Sequence, residues 1–563
     1  MKVPSRSFLA QVLIEVALLW VAGCAASWVD KQAGVDAGPP REQSIPAAHL
    51  GTPRPDGRRA TMAEDPAPSV LTLLAAGQAR LVPLGLDRFR QDLLQNNLQL
   101  QVARLGPEIA ATRVGAEFGR LDATLRASVS AVQELEDASS NNRPTEALES
   151  RYTGGEMGLS LPLATGGSID LGADLYSYET VYLDGERRID PSEKAYPTNL
   201  SATITLPLLE GAGYDANLGP IAVAAIDERI SVVDLRNLLT NLLSSSEQVY
   251  WQLVRSWRAM EIQSTILDLA LQTVADIEAL ASGGVLPAFE QDRARLTVSQ
   301  RRAAVIQADF DLRRAMRAVK VLVNRPDVPL DAGVVVQPSS KVDTRGLVLD
   351  RARLAEVALE NRSELLRADL ALRQDEVRLA MARRALLPRL DLQGSIGGLG
   401  IEENATDSIE RLLDGEFPPS WSVGLSFSVP LGNRTARSDL AAAQIARSRT
   451  EVQSRQIQLD VVQEVYDAVD RIETVWGEVA AYRRGEREAL RNLKGVRELL
   501  RLGASSALEV SLAIGDLSDA QLALLDSEIR YQVALIQLAQ ATGTALGRQA
   551  VEVLPVRLEE SGG

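Results

Sequence analysis

Residues 119–130 read GRLDATLRASVS, and residues 388–397 read PRLDLQGSIG. Each enters a segment in which apolar and polar side chains alternate with a period of two, the mark of a strand with one apolar face. The flanking sequence matches as well. Upstream, LDRFRQDLLQNNLQLQVA at 86–103 corresponds to LDRARLAEVALENRSELLRADLA at 349–371. Downstream, the strand exits LSATITLPLL at 200–209 and VGLSFSVPL at 423–431 correspond. Further on lie two glycine-containing turns, ASGGVLPAFEQDRARL at 281–296 and RLGASSALEVSLAIGDL at 501–517. Four landmarks in one order indicate an internal duplication. Each half reads as helix, strands, long helix, glycine break and returning helix.

The strand regions hold six alternating runs. They are Leu121 to Val129, Met157 to Leu161, Ile169 to Leu175, Leu200 to Leu206, Leu390 to Ile396 and Trp421 to Val429. One face is apolar; the other is small or polar, as in Asp122, Thr124, Arg126 and Ser128. A soluble sandwich shows this pattern too, but a membrane barrel with a wet lumen requires it. Tyr176, Tyr178, Tyr182 and Tyr196 cluster at strand ends, the expected place of an interfacial girdle. A long helix enters and leaves each group, so each holds an even number of strands, four and then two. Six strands enclose no useful pore. Three copies give about 18 strands, or about 12 if the hairpin LATGG at 163–167 lies outside the wall.

The helices carry coiled-coil spacing. Leu459, Val462, Tyr466, Val469, Ile472, Trp476 and Val479 step by threes and fours, as do Leu354, Ala358, Asn361, Leu365, Ala368, Leu372 and Leu379. Such spacing packs helices side by side. Between Gly211 and Gly283 the one proline is Pro220. A helix over that span reaches roughly 100 Å at about 1.5 Å per residue.

Composition removes several functions. With 60 Lys and Arg against 75 Asp and Glu, the chain is acidic, which disfavours a nucleic-acid partner. His49 is the only histidine and Cys24 the only cysteine. A His/Cys zinc site needs about three or four such ligands, so that class is excluded. No serine or cysteine nucleophile with a histidine base is recognisable. No catalytic residue, metal or cofactor is expected.

The start reads as a secretory signal: Lys2 and Arg6, an apolar run from Phe8 to Trp20 too short to span a membrane, then Val21-Ala22-Gly23-Cys24. That last run resembles a bacterial lipobox, with Cys24 as the lipidation (palmitate) site; Gln11 and Glu15 depart from the usual apolar core. Ala25 replaces the aspartate that favours inner-membrane retention. The Pro- and Gly-rich residues that follow read as a tether.

These features together resemble the outer-membrane efflux proteins of the TolC-like family. The resemblance rests on LLQNNLQL (93–100), ALLPRLDLQGSIG (385–397), LSFSVPL (425–431), LGASSALEVSLA (502–513) and LIQLAQATGT (535–544), and covers roughly residues 70 to 550. LPLATGGSIDLGADL and LPLLEGAGY resemble members with extra strands in the first repeat. The resemblance implies a mixed α/β membrane protein. It would be a homotrimer with a shared transmembrane β-barrel, about six strands per protomer, above a long periplasmic α-helical coiled-coil barrel. It divides the chain into a lipoprotein signal peptide (1–23), a flexible tether (24–70), a first repeat (71–324, strands 120–207, long helices 211–324), an inter-repeat equatorial segment (325–348), a second repeat (349–548, strands 389–430, long helices 434–543) and a C-terminal tail (549–563).

By the same resemblance the chain is an exit duct in the outer membrane of a Gram-negative bacterium, lipid-anchored and extending into the periplasm. It would conduct substrate passively for an inner-membrane transporter of RND or ABC type and a periplasmic adaptor (membrane fusion protein), in efflux or type I secretion, and would catalyse nothing. The adaptor-docking tips would be Gly283, Gly284, Val285 and Leu286 with Leu502, Gly503, Ala504, Ser505 and Leu508; simple helix breaking by glycine is the other reading. Family members often place acids one turn beyond the second tip. Here Glu509 stands first, Leu512 departs from the pattern and Asp516 follows, so the entrance gate would be Glu509, Leu512 and Asp516. An arginine common two residues after the tip glycine is Ser505. Solvated helix surface is the alternative for Glu509. The alternative for the whole chain is a non-conducting periplasmic coiled-coil lipoprotein with a structural or tethering role.

Overall fold

The computed structural model describes Val70, Gly77 and residues 79–137, 146–184, 187–330, 333–414 and 419–548. The expected signal peptide, the Cys24 anchor, nearly all of the tether and the tail from 549 lie outside the described residues. Strand β1 (Arg80–Leu84) leads into helices α1 (Leu86–Asn96) and α2 (Leu98–Phe118). The single helix expected to open each repeat is thus two. Asn97 takes an extended ψ of 122°, and its side chain accepts the N–H of Leu100, capping α2. The second repeat breaks at the matching place: α5 (Arg351–Asn361) and α6 (Ser363–Ala385) meet at Arg362, with ψ 124°.

Strands β2 (Thr124–Asp137), β3 (Glu146–Pro162), β4 (Ser168–Asp184), β5 (Arg187–Pro207), β7 (Arg389–Glu402) and β8 (Pro419–Ser428) form one antiparallel sheet in the order β2-β3-β4-β5-β7-β8. The β5–β7 pairing joins the two repeats edge to edge. The LATGG hairpin is an integral part of this sheet, because β4 pairs with β3 on one side and β5 on the other. Its turn docks on the loop that follows β5. Gly213 N–H donates to Thr165 O at 3.0 Å, and Asn217 bridges the carbonyls of Gly211 and Gly213. Gly166 has φ +98°, and a Cβ there would sit 2.1 Å from Gly211 O, so only glycine fits. At the other end β7 stops at Glu402. Helix α7 (Ala405–Asp414) takes its place beside β5, with Ser408 Oγ donating to Tyr196 O at 2.7 Å. A helix covering a freed strand edge satisfies groups that would otherwise invite pairing.

Helix α3 (Gly219–Ser282) has 64 residues, about 96 Å at 1.5 Å per residue. Pro220 lies in its first turn, where a missing N–H leaves no helix bond unmade. It turns back as α4 (Phe289–Val323). In the second repeat α8 (Arg434–Arg501) turns back as α9 (Ala507–Ala541). Near the strands the packing order is α2-α3-α6-α8; toward the turns it is α4-α3-α9-α8. The two long helices therefore run through two stacked four-helix layers. Where α9 ends and α6 begins, Arg362 donates to the terminal carbonyls of Gln540 and Ala541 and pairs with Glu364 and Glu464. A cation at that helix end also opposes the dipole.

Between the layers β1 pairs in parallel with β6 (Val334–Pro338). This small sheet packs on the middle of α3, where Tyr250, Trp251, Phe89 and Leu253 are buried. Tyr250 Oη donates to Leu84 O at 2.9 Å, and Lys320 Nζ to Val334 O at 2.7 Å, so these two buried polar groups are satisfied. No described helix is long and apolar enough to cross a membrane, which says nothing of the strands.

Candidate functional site

The register of the sheet fixes which side chains share a face. One row crosses all six strands: Leu125, Leu159, Leu171, Ala202, Ile396 and Trp421. The next row on that face is Leu161, Ile169, Ile204, Gly394 and Val423, and then Leu206, Leu392 and Leu425. These apolar groups lie open: Trp421 is 78% exposed and Val423 69%. The opposite face carries Thr124, Ser160, Asp170, Thr203, Ser395 and Ser422 in one row, and Ser128, Glu156, Asp174 and Asn199 in another. Its carboxylates are held by neutral donors. Ser160 and Ser168 donate to Asp170, and Asn199 to Asp174 at 3.0 Å. Two of the four expected girdle tyrosines face the wrong way for a lipid belt. Tyr176 and Tyr178 have the parity of Asp170 and Asp174, and Tyr176 donates to Glu156 on the polar face. Tyr152 packs against Tyr178 there, ring centroids 4.9 Å apart and planes tilted by 45°. Tyr196 has apolar-face parity.

Both ends of the array are open. β2 and β8 are the outer strands of the sheet. Helix α2 leads into β2 and exposes Leu98, Val102, Leu105 and Ile109, stepping by four, three and four. Helix α8 follows β8 and exposes Ile445, Val452, Leu459 and Tyr466 at intervals of seven. These are coiled-coil seams without a partner among the described residues. The predicted α8 seam thus splits: Val469, Ile472 and Val479 are buried within the chain, whereas Leu459, Tyr466 and Trp476 stay exposed.

At the far end the two glycine turns end their helices in the same way. Val285 N–H reaches back to Leu280 O and Gly284 N–H to Ala281 O; Ala504 reaches Leu499 and Gly503 reaches Leu500. These paired bonds need a left-handed residue, and Gly284 (φ +76°) and Gly503 (φ +69°) supply it. The two tips touch. A Cβ on Gly503 would meet Val285 Cγ1 at 2.9 Å. Glu290, 5% exposed on α4, accepts the N–H of Ala507 at 3.0 Å, capping α9 from the other hairpin. Thr297 donates to Ser511 at 2.7 Å. Beneath lie Ile277, Leu500, Val510 and Ile514. Val285, Leu502 and Leu508 remain exposed; Leu286 is half-buried, Gly283 and Ala504 are exposed and Ser505 is buried. Glu290 and the exposed Phe289, with Arg293 over its ring, went unrecognised in the sequence. An acid in a first turn is too common to signal a bond to another hairpin.

Glu509 closes a capping box with Ser506, and its carboxylate accepts the hydroxyl of Ser505 and the N–H of Ser506. Those two donors hold its carboxyl below the usual range. It is thereby turned toward its own helix terminus. Along α9, Tyr531 donates to Arg345 O of the inter-repeat segment, and Leu535 and Leu538 join the cluster of Ile472, Val475 and Val479 on α8. The opposite side, with Asp526, Arg530, Val533 and Gln537, lines a cavity of about 900 Å³ together with Arg255, Arg471 and Glu478. Followed toward the tip, that side presents Asp519, Asp516, Leu512 and Leu508, all exposed. No group of three or more metal-ligating side chains occurs among the described residues.

Residues 354–544 match the family model described as outer membrane efflux protein. The outer membrane efflux protein BepC of Brucella suis biovar 1 is 32% identical over 182 residues, covering 30% of this chain and 37% of that protein. Nodulation protein T of Rhizobium leguminosarum bv. trifolii is 24% identical over 353 residues, covering 59% of this chain and 68% of that protein. Among solved structures, the outer membrane protein VceC of Vibrio cholerae superposes with a TM-score of 0.58 at 15% identity, covering 81% of this chain and 96% of that one. At that identity the likeness shows the fold.

Proposed function

We propose that this chain, whose residues 354–544 match the outer membrane efflux protein model, is the passive exit duct of a tripartite export system. The observation that carries this reading is the six-stranded sheet with one continuous apolar face, flanked at both ends by open edges. Apolar rows that no described element covers fit lipid, and a sheet in lipid must close on itself. The exposed seams of α2 and α8 support closure of the helices in the same sense, giving a homotrimer of one barrel over one helical tunnel. Lipid held on Cys24 would add an anchor in the outer membrane.

The joined tips form the docking surface for a periplasmic adaptor, through Gly283, Gly284, Val285, Leu286, Leu502, Gly503, Ala504, Ser505 and Leu508. An inner-membrane transporter behind the adaptor supplies the energy, and the duct itself catalyses nothing. The α9 side bearing Leu508, Leu512, Asp516 and Asp519 faces the tunnel, opposite the side packed on the inter-repeat segment. Leu512 and Asp516, with Glu509 at the margin, then line the entrance, where carboxylates favour cations. Conductance of the purified protein in a planar bilayer tests the reading. Discrete cation-preferring steps are expected. Folded trimers that pass no current would leave a structural lipoprotein as the better description.

A further inference from the structure

We propose that three copies close through their β2 and β8 edges into a wall of 18 strands around a wide aqueous pore, so that the membrane segment passes bulky hydrophilic solutes and selection resides in the helical tunnel. The inference rests on the trimeric duct reading and goes beyond it in fixing the wall and its width.

The sheet itself leaves little freedom. The extra hairpin, β3 with β4, is hydrogen-bonded on both sides and carries the apolar rows without interruption through Leu159 and Leu171. Its turn is pinned at Gly166 to the loop entering α3. It therefore stands in the wall. The edges left over are β2 and β8, and both carry the apolar face to the margin, with Leu125 at one end of the row and Trp421 at the other. Pairing β8 of one copy with β2 of the next is a head-to-tail contact, which closes into a ring. It brings together the exposed seams of α8 and α2, which adjoin those strands. One rotation satisfies sheet and helices together.

Width follows from strand number. At about 4.7 Å between strands and a tilt of about 40°, 18 strands give a backbone diameter of roughly 35 Å, against roughly 23 Å for 12. Mostly short side chains in the central rows of the polar face keep this space open. One row reads Arg126, Gly158, Gly172, Ser201, Gly397 and Ser420, with its one long side chain at the β2 edge, and its neighbour reads Thr124, Ser160, Asp170, Thr203, Ser395 and Ser422. Allowing about 5 Å of side chain all round, the open area is about three and a half times that of a 12-stranded wall. The helical layers keep four helices per copy, so they do not widen with the sheet.

The experiment has three readings on the full-length protein. Native mass spectrometry in detergent should give a trimer; any other state overturns the duct reading and this inference with it. Ala127→Cys is then combined in turn with Val423→Cys, Leu425→Cys and Phe427→Cys, all on the apolar face. One pair should form disulfide-linked trimers under oxidation. An intact trimer with no β2–β8 cross-link overturns this inference and leaves the duct reading standing. Separately, Thr203→Cys on the polar face is treated from the outer side with a small maleimide and with one carrying a neutral polymer of about 10 Å radius. The wide pore, with an open radius of about 12–13 Å, predicts that both reagents label, the polymer more slowly, whereas a 12-stranded wall of about 6–7 Å open radius would exclude the polymer; labelling by the small reagent alone overturns it.

Discussion

Gly503→Ala tests the contact between the two tips and, with it, the docking surface. Two costs add at that position. Gly503 has φ +69°, and left-handed backbone costs an L-residue about 1–2 kcal/mol. The new methyl would also lie 2.9 Å from Val285 Cγ1. Valine is stiff at χ1, so relief requires the tips to part, at about 1–3 kcal/mol. Gly284 is the internal control. Its φ is +76° with nothing within 4 Å of a Cβ, so Gly284→Ala carries the backbone cost alone. Adding Val285→Ala to Gly503→Ala removes the clash and keeps the backbone cost. Native-state hydrogen exchange at the tip amides is the assay, because it reads local opening. An excess of about 1–3 kcal/mol for Gly503→Ala over Gly284→Ala corresponds to roughly 5- to 150-fold faster exchange. The double variant should return to the Gly284→Ala level. Equal effects of the two glycine substitutions would mean that Val285 does not rest on Gly503 and that the tips are separate bodies.

Three further outcomes are expected. Val423→Arg places charge on the apolar face and should cost about 2–4 kcal/mol, lowering the yield of heat-modifiable trimer, whereas Ser422→Arg on the polar face should not. Arg325 is held charged well above its ordinary range by its bonds to Asp327 and Asp92, and Asp92 is buried. Arg325→Ala should therefore cost about 1–3 kcal/mol in a thermal or urea transition, because Arg88 alone is left to pair Asp92. For Glu509 the folded carboxyl titrates below its unfolded value. Its stabilising contribution is then present above the ordinary carboxylate range and lost as pH falls through the depressed value. Tip-amide exchange of Glu509→Gln should exceed that of the unaltered protein near neutrality, with the difference vanishing in acid; a difference that persists there would show that the capping carboxylate is not its source.

Periodicity is a local property, so the strands, the long helices and the duplication are legible in the sequence alone. The glycine turns were legible too, because a left-handed residue at a helix end has few alternatives. Parity could have corrected the tyrosines. Tyr176 and Tyr178 continue the even positions of Asp170 and Asp174, and grouping them by nearness to a strand end hid that. The break at Arg362 left no local sign, since arginine is a good helix former. It arises because Arg362 satisfies carbonyls 178 and 179 residues away.

What the sequence by itself determined is the kind of each element and which residues share a face, because spacing along one chain sets both. The tertiary structure alone decided that the extra hairpin stands in the sheet, that β5 meets β7, and that the two tips touch through Val285, Gly503 and Glu290. Those outcomes depend on register and on contacts between residues some 200 positions apart, such as Glu290 with Ala507. A pattern of spacing says which way a side chain points. It says nothing of what comes to lie opposite.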